Sequence, residues 1–129
     1  MVDPRSLALS VRPGQYCICR FGPGEPTPAW TTLASFCSIT RTGEELSVAC
    51  SEEAVPSDVR ADRGWRLLAV QGPLDLSMVG VLAGLATTLA RAGVSIFAIS
   101  TFDTDYLLVR QDDLQRALDA LRKAGYAVL

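Results

Sequence analysis

After residue 64 the spacing of apolar residues changes period several times. Residues 65–71 are largely apolar and end at Gly72-Pro73, the mark of a strand closed by a turn. Met78, Val81, Leu82, Leu85 and Leu89 then recur at the helical period. Ser77 stands where an N-cap belongs and Gly93 where a helix stops, which predicts an amphipathic helix of about four turns. Residues 96–99 and 106–109 are apolar runs joined by the polar bend Ser100-Thr101-Phe102-Asp103-Thr104-Asp105, so a hairpin is expected. Asp112 with Gln115 three residues on reads as a capping box. Behind it Leu114, Ala117, Leu118, Leu121 and Ala124 form a second helical stripe before Gly125. Residues 126–129 close as a strand. This is the βαββαβ order of the ferredoxin-like α+β fold, in which two helices cover one face of an antiparallel sheet.

The first half carries strands without a helix long enough to cover them. Residues 7–11 and 16–21 alternate as strands around Pro13-Gly14, a turn that would open a hairpin between them. Residues 22–28, rich in Gly and Pro, are too irregular for either element and too poor in amide donors, with no Lys-Ser/Thr pair, to be a phosphate loop. A single helical turn is expected over 29–33, then a hairpin of 35–40 with 45–50. One short turn follows before Pro56, and a linker reaches Gly64. The expected organisation is a shortened, helix-poor unit over 1–62 and a complete βαββαβ unit over 63–129.

In the central hairpin both alternating sets are apolar, Ile96 and Ala98 on one face and Phe97 and Ile99 on the other. Two helices cover only one of these faces. The other should meet a second layer, supplied by the first half, by a second copy of the chain or by both, and a homodimer is expected.

Composition narrows the chemistry. The chain has 129 residues, 12 Lys and Arg against 14 Asp and Glu, and no His. A net charge of -2 offers no field for phosphate backbones or anionic lipid, so neither nucleic acid nor membrane is an expected partner. No apolar stretch reaches the roughly 20 residues of a bilayer span, and the first residues lack a signal-peptide pattern. The expected compartment is the cytoplasm. Cys17, Cys19, Cys37 and Cys50 fall within strands rather than tight knuckles and read as buried reduced thiols; no metal or other cofactor is expected. Without His, the usual general base is missing. Asp103 and Asp105 are the only acid and base pair the bend would offer an enzyme, and the chain is not expected to be one.

Two features suit a zwitterion. Amides near Val79 and Gly80, at the start of the first helix, would favour a carboxylate. Two carboxylates at the bend would hold an ammonium. Gly80 and Gly84 each cost a helix about 1 kcal/mol relative to Ala, so a ligand or neighbouring backbone is expected against them. The plainer reading stays open: Asp and Thr at a bend often bond only their own backbone, and Asp-Leu-Ser before a helix often serves only as a cap.

The run from Gly72 to Ala83, followed by Ile96 to Val109 with its Ser-Thr-Phe-x-Thr-Asp-Tyr string, resembles the second domain of small tandem ACT-domain proteins. Residues 40–48 resemble the hairpin of that family's shortened first domain. The resemblance implies paired ferredoxin-like ACT units and a regulatory or sensor role in binding an amino acid or similar small zwitterion. By motif it places Thr101, Phe102 and Asp105 at the ligand-side bend, with Asp105 facing the α-ammonium. Met78, Val79 and Gly80 would face the α-carboxylate, and Ile39, Thr40 and Ser47 are secondary candidates. The Pro-rich loop that replaces most of a helix in the first unit argues against a complete second site there. The rival expectation is an assembly protein that uses the same fold for protein-protein contact without a ligand.

Overall fold

The computed structural model describes residues 2–129. Its strands are β1 (Ala8–Val11), β2 (Tyr16–Phe21), β3 (Cys37–Arg41), β4 (Leu46–Ser51), β5 (Asp62–Val70), β6 (Ile96–Ser100), β7 (Asp105–Arg110) and β8 (Ala127–Val128). The helices are α1 (Val81–Arg91) and α2 (Leu114–Lys123), and short 3₁₀ turns lie at Ala29–Leu33 and Glu52–Ala54. The βαββαβ order of the second half stands as expected.

The described chain divides into two compact units, one of residues 2–13 with Arg66–Leu129 and one of Gly14–Trp65. This differs from the division at residue 62 because β1 does not form a hairpin with β2. It pairs antiparallel with β5, Leu9 opposite Val70, and parallel with β8, Leu9 opposite Val128. The sheet of that unit runs β6-β7-β5-β1-β8, so the ferredoxin-like set carries an extra strand between its first and last members. The segment read as a linker also differs, since β5 begins at Asp62 and Gly64 takes a positive φ of 82° within it.

The larger unit is held by one face of its sheet packed on both helices. Val81, Leu85 and Leu89 of α1 and Ala117, Leu118 and Leu121 of α2 share a core with Leu68, Val70, Leu107 and Val109. Each such leucine, removed from water, contributes about 2 kcal/mol. Leu67 and Leu108 point to the opposite face and are as fully buried, which is why residues 67–70 of β5 and 106–109 of β7 are consecutively apolar. The expected capping box at Asp112 does not form. Gln111–Asp113 is a 3₁₀ turn, Asp113 pairs with Arg116 at 2.7 Å, and Gln115 reaches forward to Asp119.

The smaller unit is the meander β3-β4-β2 with the start of β5 beside β2. Cys37, Cys50 and Cys17 lie in one cross-strand row, and all four cysteines are free thiols. The Cys19 hydrogen bond pulls Cys17 down, but the Cys50 thiol and burial win and push it up to about 12 from 9.0. Arg41 orders the Pro-rich loop by donating to the carbonyls of Pro23 and Glu25, each at 2.8 Å. Among the described residues no helix is long and apolar enough to cross a membrane.

Candidate functional site

The loop that leaves β5 does not run straight into a helix. Asp75 Oδ1 accepts from the Ser77 amide at 2.9 Å and the Ser77 hydroxyl at 2.8 Å, and the Met78 amide donates to the Asp75 carbonyl at 3.0 Å. These bonds close a turn, and the Ser77 amide followed by its hydroxyl holds the Asp75 carboxyl below its usual range. Ser77 is therefore the ligand of Asp75 and not a helix cap. The helix begins only after Gly80, whose φ of 93° is left-handed backbone that glycine adopts without strain.

This moves the helix end by three residues. The first intrahelical bond runs from the Gly84 amide to the Gly80 carbonyl at 2.9 Å, so the amides without an intrahelical partner are those of Val81, Leu82 and Ala83. The sequence reading placed them near Val79 and Gly80. A glycine immediately before the first buried residue of the stripe was the signal for the later start. Gly84, for its part, faces the Tyr126 hydroxyl: a Cβ there would stand 2.9 Å from it, so the small residue admits that side chain.

The bend forms the opposite wall. Ser100 and Asp105 are the last register pair of β6 and β7, and the Ser100 hydroxyl donates to Asp105 Oδ1 at 2.6 Å. The Thr101 amide and hydroxyl both donate to the Thr104 carbonyl, at 2.8 and 3.0 Å, and the Thr104 hydroxyl donates to the Val70 carbonyl at 2.7 Å. The Leu74 amide donates to the Asp103 carbonyl at 2.6 Å and ties the bend to the loop.

Between these walls lies a cleft of about 310 Å³. Met78, Gly80, Thr101, Phe102 and Asp105 line it together, with Val81, Leu82 and Ala83 at the helix start. Val79 does not line it and is 77% exposed. Ile39, Thr40 and Ser47 lie on the β3–β4 hairpin in the other unit, Thr40 opposite Ser47, and contribute nothing to the lining. Three carboxylates, Asp75, Asp103 and Asp105, belong to the lining, with no Lys or Arg among those residues. Leu76, Val79 and Phe102 stand exposed near its mouth. Among the described residues no group of three His, Cys, Asp or Glu is placed to hold a metal ion.

The ACT-domain family model matches residues 60–123, and a model of an N-terminal domain matches residues 14–58. A protein of Agobacterium tumefaciens with a known crystal structure is 41% identical; the match covers 95% of this chain and 92% of that one, with a TM-score of 0.88. The cytosolic arginine sensor for mTORC1 subunit 1 of Homo sapiens is 29% identical over 103 residues, which are 76% of this chain and 31% of the sensor. The chain thus spans about a third of the length of that relative. The regulatory subunit of aspartate kinase from Thermus thermophilus shares the fold, with a TM-score of 0.62 at 13% identity over 91% of this chain and 97% of that one.

Proposed function

The chain belongs to the ACT-domain family, and we propose that it is a non-catalytic regulatory module whose cleft binds an amino acid. The observation that carries this reading is the pairing of opposite electrostatic ends across one cleft. The first-turn amides of α1, at the positive end of the helix, suit a carboxylate, and Asp105 on the facing wall suits an ammonium. Met78, Gly80, Thr101 and Phe102 would line the ligand between them, and Val79 would stand at the rim.

The charge of the lining favours a particular ligand. Three carboxylates against no cation leave the cleft two negative charges in excess after an α-ammonium is met. A basic side chain would meet that excess, so arginine is the first candidate, in keeping with a relative named as an arginine sensor. Binding would shift an equilibrium between states of the protein by the difference in ligand affinity between them. The regulated partner would be another protein, the compartment the cytoplasm, and the working assembly a homodimer.

A second reading has its own observation. Leu76, Val79 and Phe102 are 69, 77 and 79% exposed near the same cleft, which suits a surface for protein-protein assembly. Thermal melting with each of the common amino acids at millimolar concentration separates the two. The binding reading expects stabilisation by arginine above the others, whereas the assembly reading expects none from any of them.

A further inference from the structure

The bend meets the end of β5, where the loop toward α1 departs, at a residue that the sequence presents only as a turn threonine. Every polar atom of Thr104 that carries a described bond is committed within the protein. Its hydroxyl donates to the carbonyl of Val70, the last residue of β5, at 2.7 Å. Its amide donates to the Thr101 hydroxyl at 3.3 Å, and its carbonyl accepts from the Thr101 amide at 2.8 Å. Its neighbour Asp103 uses its carbonyl to receive the Leu74 amide. Gly72 sits inside this junction, where a Cβ would stand 3.1 Å from both the Asp103 carbonyl oxygen and the Thr104 Cβ. A side chain there would press on the bend, which would have to give by a few tenths of an ångström.

We propose that Thr104 is a positioning residue that fixes the spacing between the two walls of the cleft. Its hydroxyl is the one side-chain link from the bend to the end of β5 among the described bonds, and the β5 end is where the loop toward α1 departs. With that link in place, Asp103 is presented to Leu74, and Asp105 is held at a set distance from the first-turn amides of Val81, Leu82 and Ala83. Its consequence for ligand affinity rests on the amino-acid-binding reading; the coupling of the walls does not.

The test compares Thr104→Val, which keeps the shape and removes the hydroxyl, with Thr104→Ser, which keeps the hydroxyl. Amide hydrogen exchange at Leu74 reads the coupling directly, and calorimetric titration with free L-arginine reads its consequence. Thr104→Val is expected to speed exchange at Leu74 by about tenfold and to weaken arginine by three- to tenfold, the scale of one lost neutral hydrogen bond. Thr104→Ser is expected to restore both. Exchange at Leu74 that is unchanged in the valine variant, or lost equally in both variants, overturns the assignment. Wild-type protein that takes no arginine while Leu74 still responds to valine and recovers with serine overturns the binding reading and leaves the coupling in place.

Discussion

Ser100 donates its hydroxyl to Asp105 Oδ1 at 2.6 Å across the last register pair of the β6–β7 hairpin. A carboxylate that sits on an exposed bend would otherwise sample several rotamers; here the strand opposite holds it on the cleft side of the hairpin. Orientation of this kind lowers the entropic cost of gripping a ligand. Ser100→Ala should therefore weaken arginine binding about threefold without loss of the fold, on the scale of one exposed hydrogen bond. Titration calorimetry of this variant beside the wild type checks it, and unchanged affinity would remove the orienting role.

Gly84→Ala should destabilise the protein by about 1 kcal/mol, because the added methyl meets the Tyr126 hydroxyl at 2.9 Å and this overpacking outweighs the helix propensity that alanine gains. Tyr126→Phe in the same chain should recover part of that loss. Urea unfolding of the two single variants and the double variant gives the coupling. Additive losses would mean that the methyl is accommodated elsewhere.

The thiol row makes a pH prediction. Cys17 is pushed up to about 12 in the folded chain from an ordinary 9.0. Because the folded value is the higher one, the neutral thiol's contribution is fully present below about 9 and is lost as pH rises toward 12. Stability should fall across that alkaline window. Cys17→Ala should be less stable at neutral pH by about 1 kcal/mol, from the lost packing, yet show a shallower alkaline decline. A parallel decline in both proteins would assign the effect to other groups.

Asp75 acts in the opposite direction. The Ser77 amide and then its hydroxyl hold its carboxyl below the usual range. With the folded value the lower one, the contribution is present above the ordinary carboxylate range and is lost as pH falls through the depressed value. The difference in melting temperature between wild type and Asp75→Ala should therefore shrink as pH is lowered below 4. A difference that persists at acid pH would show that the turn does not depend on the charge.

The strands of both halves were legible because each is a short apolar or alternating run bounded by Gly, Pro or charge. At residues 16–21 the run and the observed strand coincide, and the run 96–99 falls one residue short of its strand. Strand partners were less legible. Nothing local in residues 8–11 says that they insert between β5 and β8, since a four-residue strand gains its place from distant edges of the sheet. At the site, the bend was readable from its polar string between two apolar runs. The helix start was not, because Ser77 has the chemistry of a cap and the nearby Asp75 carboxylate captures it first. Thr104 went unnoticed for a related reason: a threonine in a turn gives no sign that its hydroxyl crosses to a strand 34 positions earlier.

The central claim is that Asp105 and the first turn of α1 hold the two ends of one amino acid. Calorimetric titration of free L-arginine into wild type and Asp105→Ala, at equal folded concentration checked by melting, tests it most directly. The account predicts saturable heat at one site per chain in the wild type and its loss in the variant. No saturable heat in the wild type at millimolar arginine, or equal binding by both proteins, would contradict it.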